Sequence, residues 1–507
     1  MTPPSQRLAL IPLDDRPCCR LFPTRLAEMA GHHLQTPPRP LLGKYLDPGD
    51  PGRLMDWLET LLKRRQEPPT GLLLSLDMLV WGGLVASRRL DPPADSSLKN
   101  LKRLAILSQR RPTWAFMSLM RTAPTQTSLE EVEQATRLTE LALWMSRQAR
   151  DLPGASEKVQ ALRQGIPASW VDRYLQARRR NLALNLTALR RAVECDWRHL
   201  LLGIDDSRTE GLNVLEAARL EAAIGELNAP ATVAPGTDEM ALLMLVRALA
   251  QGTELSVHFS KRSDLNRVTR YEDRSLSGLV QAHAQAAGIE LSERATRQLW
   301  VYGPRGEQQE ASGQGLLRRR SRRAARFVEA LSGALDEGAC VAVADVARAN
   351  GADLALVEEL LRAGVFPRLA GYAGWNTAGN TLGTALACAA LAPARPTPAT
   401  ESARLSFLLE RLADDVLFQA ELRQEVSAPL GGSFVHLEGT RLEETREKVQ
   451  ELLGERVVHL FEKHFEPTLF EGHRPHLTQV AVDLPWPRTF EVEVQARIEY
   501  QRRRGGA

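Results

Sequence analysis

Apolar runs alternating with helical stretches constrain the fold of this chain more than any other feature. The runs fall at roughly residues 7–13, 71–77, 113–120, 199–205, 230–235, 255–259, 298–302, 340–345 and 368–373. Most lead into a segment whose apolar residues recur at helical spacing, such as 237–251 and 353–362. A strand that is apolar at every position is buried on both faces, and helices supply the cover. The pattern therefore predicts mainly parallel sheets of the α/β class. Nine strands exceed a plain eight-stranded barrel, and 507 residues exceed what one core usually holds. The expected architecture is two doubly wound lobes, residues 1–250 and 251–395, with a cleft between them. A single TIM-like (β/α)8 barrel with an extra strand is the alternative.

Two regions break the alternation. Residues 125–198 read as a helical insertion, with Thr127 and Ser128 as N-caps and Glu130 and Glu131 three residues on, as in a capping box. After a proline-rich stretch at 392–398, residues 401–466 read as helical, and 480–500 alternate in strand fashion across Pro485-Trp486-Pro487, as in a hairpin. Residues 396–507 are thus expected to form a C-terminal helical and β-hairpin module, accessory or serving a homodimer.

Composition narrows the function. The chain is 43% hydrophobic and 25% charged, and a net charge of +3 argues against bulk nucleic-acid binding. No apolar run reaches membrane-spanning length, and no secretory signal is evident. Five scattered cysteines form neither a disulfide framework nor a zinc pattern, so a reduced, cytoplasmic setting is expected, with Cys340 and Cys388 in the core. No phosphate loop, dinucleotide fingerprint or G-x-S-x-G elbow occurs, so no organic cofactor is expected. The basic run at 318–323 reads as a solvated helix face. Arg178-Arg179-Arg180 reads the same way, although Tyr174, Arg178 and Asn181 could wall a cleft.

The polar residues that end the apolar runs carry the functional signal, because ligands of α/β sheets bind beyond the carboxyl ends of the strands. The first run ends in Asp14-Asp15-Arg16, the second in Asp77, the third in Arg121, and the fourth in Asp205-Asp206-Ser207-Arg208. Thr237-Asp238-Glu239 follows the next, and Asp345 leads to Asn350 and Asp353. A lone acid at a strand-to-helix turn is often only an N-cap, and Asp353 fits that role best. A cap uses one carboxylate, so the second members of Asp14-Asp15 and Asp205-Asp206 need another partner. The turn at 371–381 gathers glycines, Trp375, Asn376 and Asn380. An indole face packs on the C–H face of a sugar while amides bond its hydroxyls. A buried tryptophan in an Asx-stabilised turn is the plainer alternative.

Pro12-Leu-Asp-Asp-Arg-Pro17, Gly236-Thr-Asp-Glu239 and the stretch Gly371-Tyr-Ala-Gly-Trp-Asn-Thr-Ala-Gly-Asn380 together resemble a bacterial family catalogued as a domain of unknown function. The resemblance spans almost the whole chain and implies an association with carbohydrate uptake and glycoside degradation. A glycosidase needs two carboxyl groups and no organic cofactor. Asp205 and Asp206 on one side of the cleft, with Asp238 and Glu239 on the other, are the expected catalytic acids. Asp14, Asp15, Arg16, Asp77, Arg121, Asp345, Asn350, Trp375, Asn376 and Asn380 are expected to hold a small carbohydrate or glycoside. Alternatives are an enzyme using Mg²⁺ or Mn²⁺ at the same acids, for a sugar or phosphorylated ligand, and a non-enzymatic sugar sensor. Zinc has little support: no H-E-x-x-H occurs, and His258 reads as a core residue.

Overall fold

The structure is a computed structural model that describes residues 5–89, 96–109, 111–124, 129–314 and 321–502. The caps expected at Thr127 and Ser128, the side chains of Glu130 and Glu131, and most of the basic run at 318–323 lie outside these residues. The chain resolves into two compact units. Met1–Asp15, Leu34–Met244 and Tyr271–Arg274 form the first; Arg16–His33, Leu245–Arg270 and Ser275–Ala507 form the second. The partition falls inside the opening motif, with Asp14 and Asp15 in the first unit and Arg16 in the second.

The first unit holds a six-stranded sheet of β1 (Arg7–Ile11), β2 (His33–Gln35), β3 (Gly71–Ser75), β4 (Thr113–Leu119), β5 (His199–Ile204) and β6 (Ala231–Pro235). Their order across the sheet is β2-β1-β3-β4-β5-β6. From β1 to β6 the neighbours run parallel, with Leu10 opposite Leu73, Leu73 opposite Trp114, Ala115 opposite Leu200 and Gly203 opposite Ala234. β3 and β5 are buried at every position. Between β4 and β5 lies the helical insertion, Leu129–Gln148, Ala155–Gln164 and Ala168–Glu194. It packs a small core of its own around Leu138, Leu141, Trp170 and Tyr174.

The second unit holds a five-stranded sheet of β7 (Glu254–Phe259), β8 (Glu290–Leu291), β9 (Arg297–Tyr302), β10 (Cys340–Asp345) and β11 (Gly371–Ala373). Its order is β8-β7-β9-β10-β11, and all its pairs are parallel. Each sheet thus places its second strand outside its first and its third on the other side. That reversal defines the switch point at which doubly wound sheets open a crevice. Among the described residues the strands form open sheets and no closed barrel.

The chain from 396 onward is built into the second unit. Helix Pro398–Arg411 runs into a π-helical stretch, Leu412–Leu422, and later into helix Gly439–His464. An antiparallel hairpin, β12 (His473–Asp483) and β13 (Glu493–Arg502), ends the fold. Leu405, Phe418, Val449 and Val494 share one core with Val341 and Tyr372 of the sheet. Glu410 ties the hairpin to the helix by accepting from the Ala496 N–H at 3.0 Å. Among the described residues, no helix is long and apolar enough to cross a membrane.

Candidate functional site

In the first unit, five adjacent strands deliver polar side chains to one edge of the sheet. Ser75 ends β3 and caps the helix Leu76–Trp81 through the Met78 N–H. This turn points Asp77 at β4, where its carboxylate accepts from Ser118 N–H at 2.8 Å and Ser118 Oγ at 2.7 Å. Asp77 is fully buried; burial raises its pKa to about 6 against those bonds and the nearby charge of Arg88. With both oxygens committed, Asp77 clamps two strand ends together. The helix ends in Gly82 and Gly83, both at positive φ (87° and 123°). A Cβ on Gly83 would lie 3.3 Å from the Leu13 carbonyl, so a bare backbone lets this turn approach the end of β1. There Asp14 and Asp15 are buried, and Asp15 meets Arg39 at 3.4 Å.

The ends of β5 and β6 hold the strongest chemistry. A Cβ on Gly203 would fall 2.4 Å from the Gly236 carbonyl, so only glycine lets the turn after β6 close over β5. Asp205 at the end of β5 is buried and forms an ion pair with Arg88. Its pKa rises to about 6. Burial is the main cause, Asp206 and Asp238 push the same way, and Arg88 and Arg121 oppose them. Asp206 adopts the left-handed conformation (φ 47°), leaves its side chain 55% exposed, and pairs with Arg121 at 3.1 Å. The cations facing this double acid come from the connections after β3 and β4, not from the neighbouring Arg208. The expectation that Asp205-Asp206 and Asp238-Glu239 face each other across a cleft is corrected: β5 and β6 are hydrogen-bonded neighbours, so both pairs share one edge. Glu239 is fully buried and folds back against Gly236.

The helical insertion shapes this edge from one face of helix Ala168–Glu194. Tyr174, Arg178, Asn181 and Asn185 lie four, three and four residues apart, the spacing of one helical face. Tyr174 Oη donates to the Thr122 carbonyl at 2.6 Å, and Arg178 donates to the carbonyls of Met120 and Arg121 at 3.0 and 2.8 Å. Asn181 donates to the Ser87 carbonyl and Asn185 to that of Ser118. These side chains fix the loops that carry Arg121 and Arg88. They are positioning residues.

The second unit gathers a separate polar group. Asp345 at the end of β10 is fully buried and accepts from Asp353 N–H at 2.6 Å, Tyr372 Oη at 2.9 Å and Ala347 N–H at 3.2 Å. Burial, with Asp353 adding to it, raises its pKa to about 7. Its oxygens are spent on pinning the loop that follows β10. Asp353 caps the next helix through the Leu356 N–H. Asn350 and Asn376 are both left-handed (φ 55° and 51°), and Asn350 N–H donates to the Asn376 carbonyl at 2.8 Å. Thr377 and Asn380 form a capping box on helix Ala378–Leu391, so the Asn380 amide oxygen is engaged by its own turn and by Asn376. Trp375 donates its indole N–H to Thr384 and meets Phe22 edge to face, with ring centres 5.6 Å apart. Trp375, Asn376, Asn350 and Arg16 line one pocket together with Asp414, Gln419 and Glu491. His258, half-buried, stacks on Trp300 at 4.8 Å, burial lowers its pKa, and the two rings line a pocket of the second unit.

A model of the family described as protein of unknown function DUF4127 matches residues 8–495. The chain belongs to that family. No curated protein and no solved structure matches this DUF4127 member. All the acids, amides and arginines described above lie within the matched span of DUF4127.

Sequence reasoning missed several site residues of this DUF4127 chain. Arg88 carries no signal of its own in the sequence, because its pairing with Asp205 is a tertiary fact that no local pattern encodes. Asp414 and Gln419 lie in a region read only as helical, although the adjacent acids Asp414-Asp415 were themselves the kind of signal applied at strand ends. Asp264 was also missed. It is fully buried at the switch point between β7 and β9, accepting from Ser260 Oγ at 2.7 Å with Lys261, Arg267 and Arg323 within 3.7 Å.

Proposed function

We propose that this DUF4127 chain is a carbohydrate-active hydrolase, in its specific form a glycosidase, whose acid chemistry sits at the strand ends of the first unit. One observation carries the reading: Asp205, buried in an ion pair with Arg88 and with its pKa raised to about 6 by burial, stands beside the exposed side chain of Asp206. Glycoside hydrolysis needs that division of labour, a carboxylic acid to protonate the departing oxygen and a carboxylate to act on the anomeric carbon or on water. In this reading Asp205 donates the proton, Arg88 holds it in place, and Asp206, oriented by Arg121, is the second carboxyl group. Asp238, whose charge reaches Asp205, lies on the same edge as a supporting acid. These three carboxylates also suit Mg²⁺ or Mn²⁺, but Arg88 and Arg121 already supply positive charge there, which favours the metal-independent form.

The test is release of p-nitrophenol from a panel of glycosides. Wild type turns over at least one substrate, with kcat falling as pH rises through about 6. Asp205→Asn lowers kcat by about 10²- to 10⁴-fold, the usual contribution of a general acid. Absence of turnover across the panel, or full activity in both Asp205→Asn and Asp206→Asn, sinks the proposal.

A further inference from the structure

An open groove of about 710 Å³ runs along the outer side of β7 in the second unit, a volume in the range of small-molecule sites. It exists because β8 is too short to cover its neighbour. β8 pairs with Glu254 and Leu255 and no further, and the Ser292 N–H donates to the Leu255 carbonyl at 3.0 Å just past its end. β7 itself continues to Phe259. Ser260 N–H donates to the Val301 carbonyl at 2.8 Å, so Ser260 turns its backbone toward β9. Backbone direction alternates along a strand, so the N–H groups of Val257 and Phe259 point the other way, into the groove. Two outward N–H groups are too few to seat a docked strand of ordinary length. The walls are apolar: Val257, Phe259, Val280 and Leu291 line them, with the stacked rings of His258 and Trp300. Burial lowers the His258 pKa, and its Nε2 lies 3.1 Å from Ser256 Oγ, so the imidazole adds a ring and no charge at neutral pH. Arg262, just past the end of β7, is the charged side chain of the lining, and no carboxylate lines the groove among the described residues. The Arg262 guanidinium makes no ion pair or hydrogen bond among those residues either.

We propose that this groove binds a flat aromatic carboxylate. The ring lies against the apolar walls beside Trp300, and the carboxylate accepts from the Arg262 guanidinium and from the outward N–H of Phe259. The charge of the ligand follows from that of the lining, a cation with no acid to compensate it. Binding here rests on the second unit alone and does not depend on proton donation by Asp205, so the two ideas fail by different measurements.

The experiment is titration calorimetry of the full chain with β-naphthoate and with β-naphthylmethanol, which carries the same ring without the charge. The carboxylate binds about fivefold more tightly at low salt, the worth of one exposed ion pair, and the margin shrinks as salt is added. Arg262→Gln removes most of that margin. Gln281→Glu, which sets a carboxylate on the helix that walls the groove, weakens β-naphthoate by a similar factor and leaves β-naphthylmethanol unchanged. Both positions are exposed, so neither variant threatens the fold. Failure of both probes to bind overturns the proposal, as do equal affinities of the two probes in wild type or an unchanged β-naphthoate affinity in both variants. Missing p-nitrophenol release in wild type, with β-naphthoate binding intact, counts against the hydrolase reading alone.

Discussion

Replacing Asp205 by asparagine should make the stability of the first unit respond differently to pH. Asp205 has its pKa raised from 3.8 to about 6 in the folded chain. The native state therefore holds this proton more tightly than the unfolded chain does. The resulting stabilisation is fully present below pH 3.8 and is lost as pH rises through about 6. Integrating between those two values, wild type loses about 2 kcal/mol from this group between roughly pH 4.5 and 7.5. Asparagine does not titrate, so the variant gains about 2 kcal/mol on wild type across that window. It also leaves Arg88 without its carboxylate; the pH-dependent part of that loss is already contained in the pKa of Asp205, which Arg88 lowers, and the remainder is constant with pH. The quantity to read is thus the change in the difference between the two proteins, not its absolute size. Urea unfolding followed by tryptophan fluorescence suits the purpose, since six of the nine tryptophans (Trp57, Trp81, Trp114, Trp144, Trp170 and Trp197) lie in the first unit. Other raised acids, such as Asp77, titrate in both proteins and cancel. A difference that stays constant from pH 4.5 to 7.5, within about 0.5 kcal/mol, would refute the burial argument for Asp205.

Two further outcomes test the scaffold. Arg178→Met removes the cation that holds the Met120 and Arg121 carbonyls and strands the carboxylate of Glu216, to which Arg178 donates at 2.9 Å. It should cost the first unit about 3 kcal/mol in urea unfolding, and a loss below about 1 kcal/mol would show that the insertion does not hold the strand-end loops. Gly371→Ala would place a Cβ 2.2 Å from Cys388 Cβ, where helix Ala378–Leu391 crosses β11. Overpacking there should lower the second unit's stability by about 1–3 kcal/mol in a thermal melt, and an unchanged transition would contradict the close approach.

Strands were legible where burial is total. β3 and β5 are apolar at nearly every position because both faces are covered, and that leaves an unambiguous run. The short strands β2 and β8 left no trace, since two or three residues cannot display a period. The insertion and the hairpin were legible from periodicity alone. At the site, the double acid Asp205-Asp206 was legible because two adjacent carboxylates exceed what one helix cap can use. Arg121 was legible as a strand end, but its pairing with Asp206 was not, and Arg88 was not legible at all, since each is brought in by a different strand crossover. Asn380 shows the opposite failure: its place in a polar turn suggested a ligand, but the backbone of its own helix end claims its oxygen. The motif Asp14-Asp15-Arg16 read as one constellation, and the fold divides it between two units.

The π-helical stretch Leu412–Leu422 makes the Trp375 pocket depend on a count of residues as much as on their identity. Asp414 and Gln419 are five positions apart and still touch. In an ordinary α-helix, five residues leave two side chains about 140° apart around the axis. A ladder with bonds five residues apart brings them nearly into line, and the stretch closes with such a bond, from Arg423 N–H to the Phe418 carbonyl. Deleting one residue between Asp414 and Gln419 would let the segment relax into α geometry and swing the Gln419 amide away from the carboxyl that orients it. Every polar group of the pocket would survive in the sequence, and the pocket would be lost. In this part of the fold, chain length acts as a coordinate of the site.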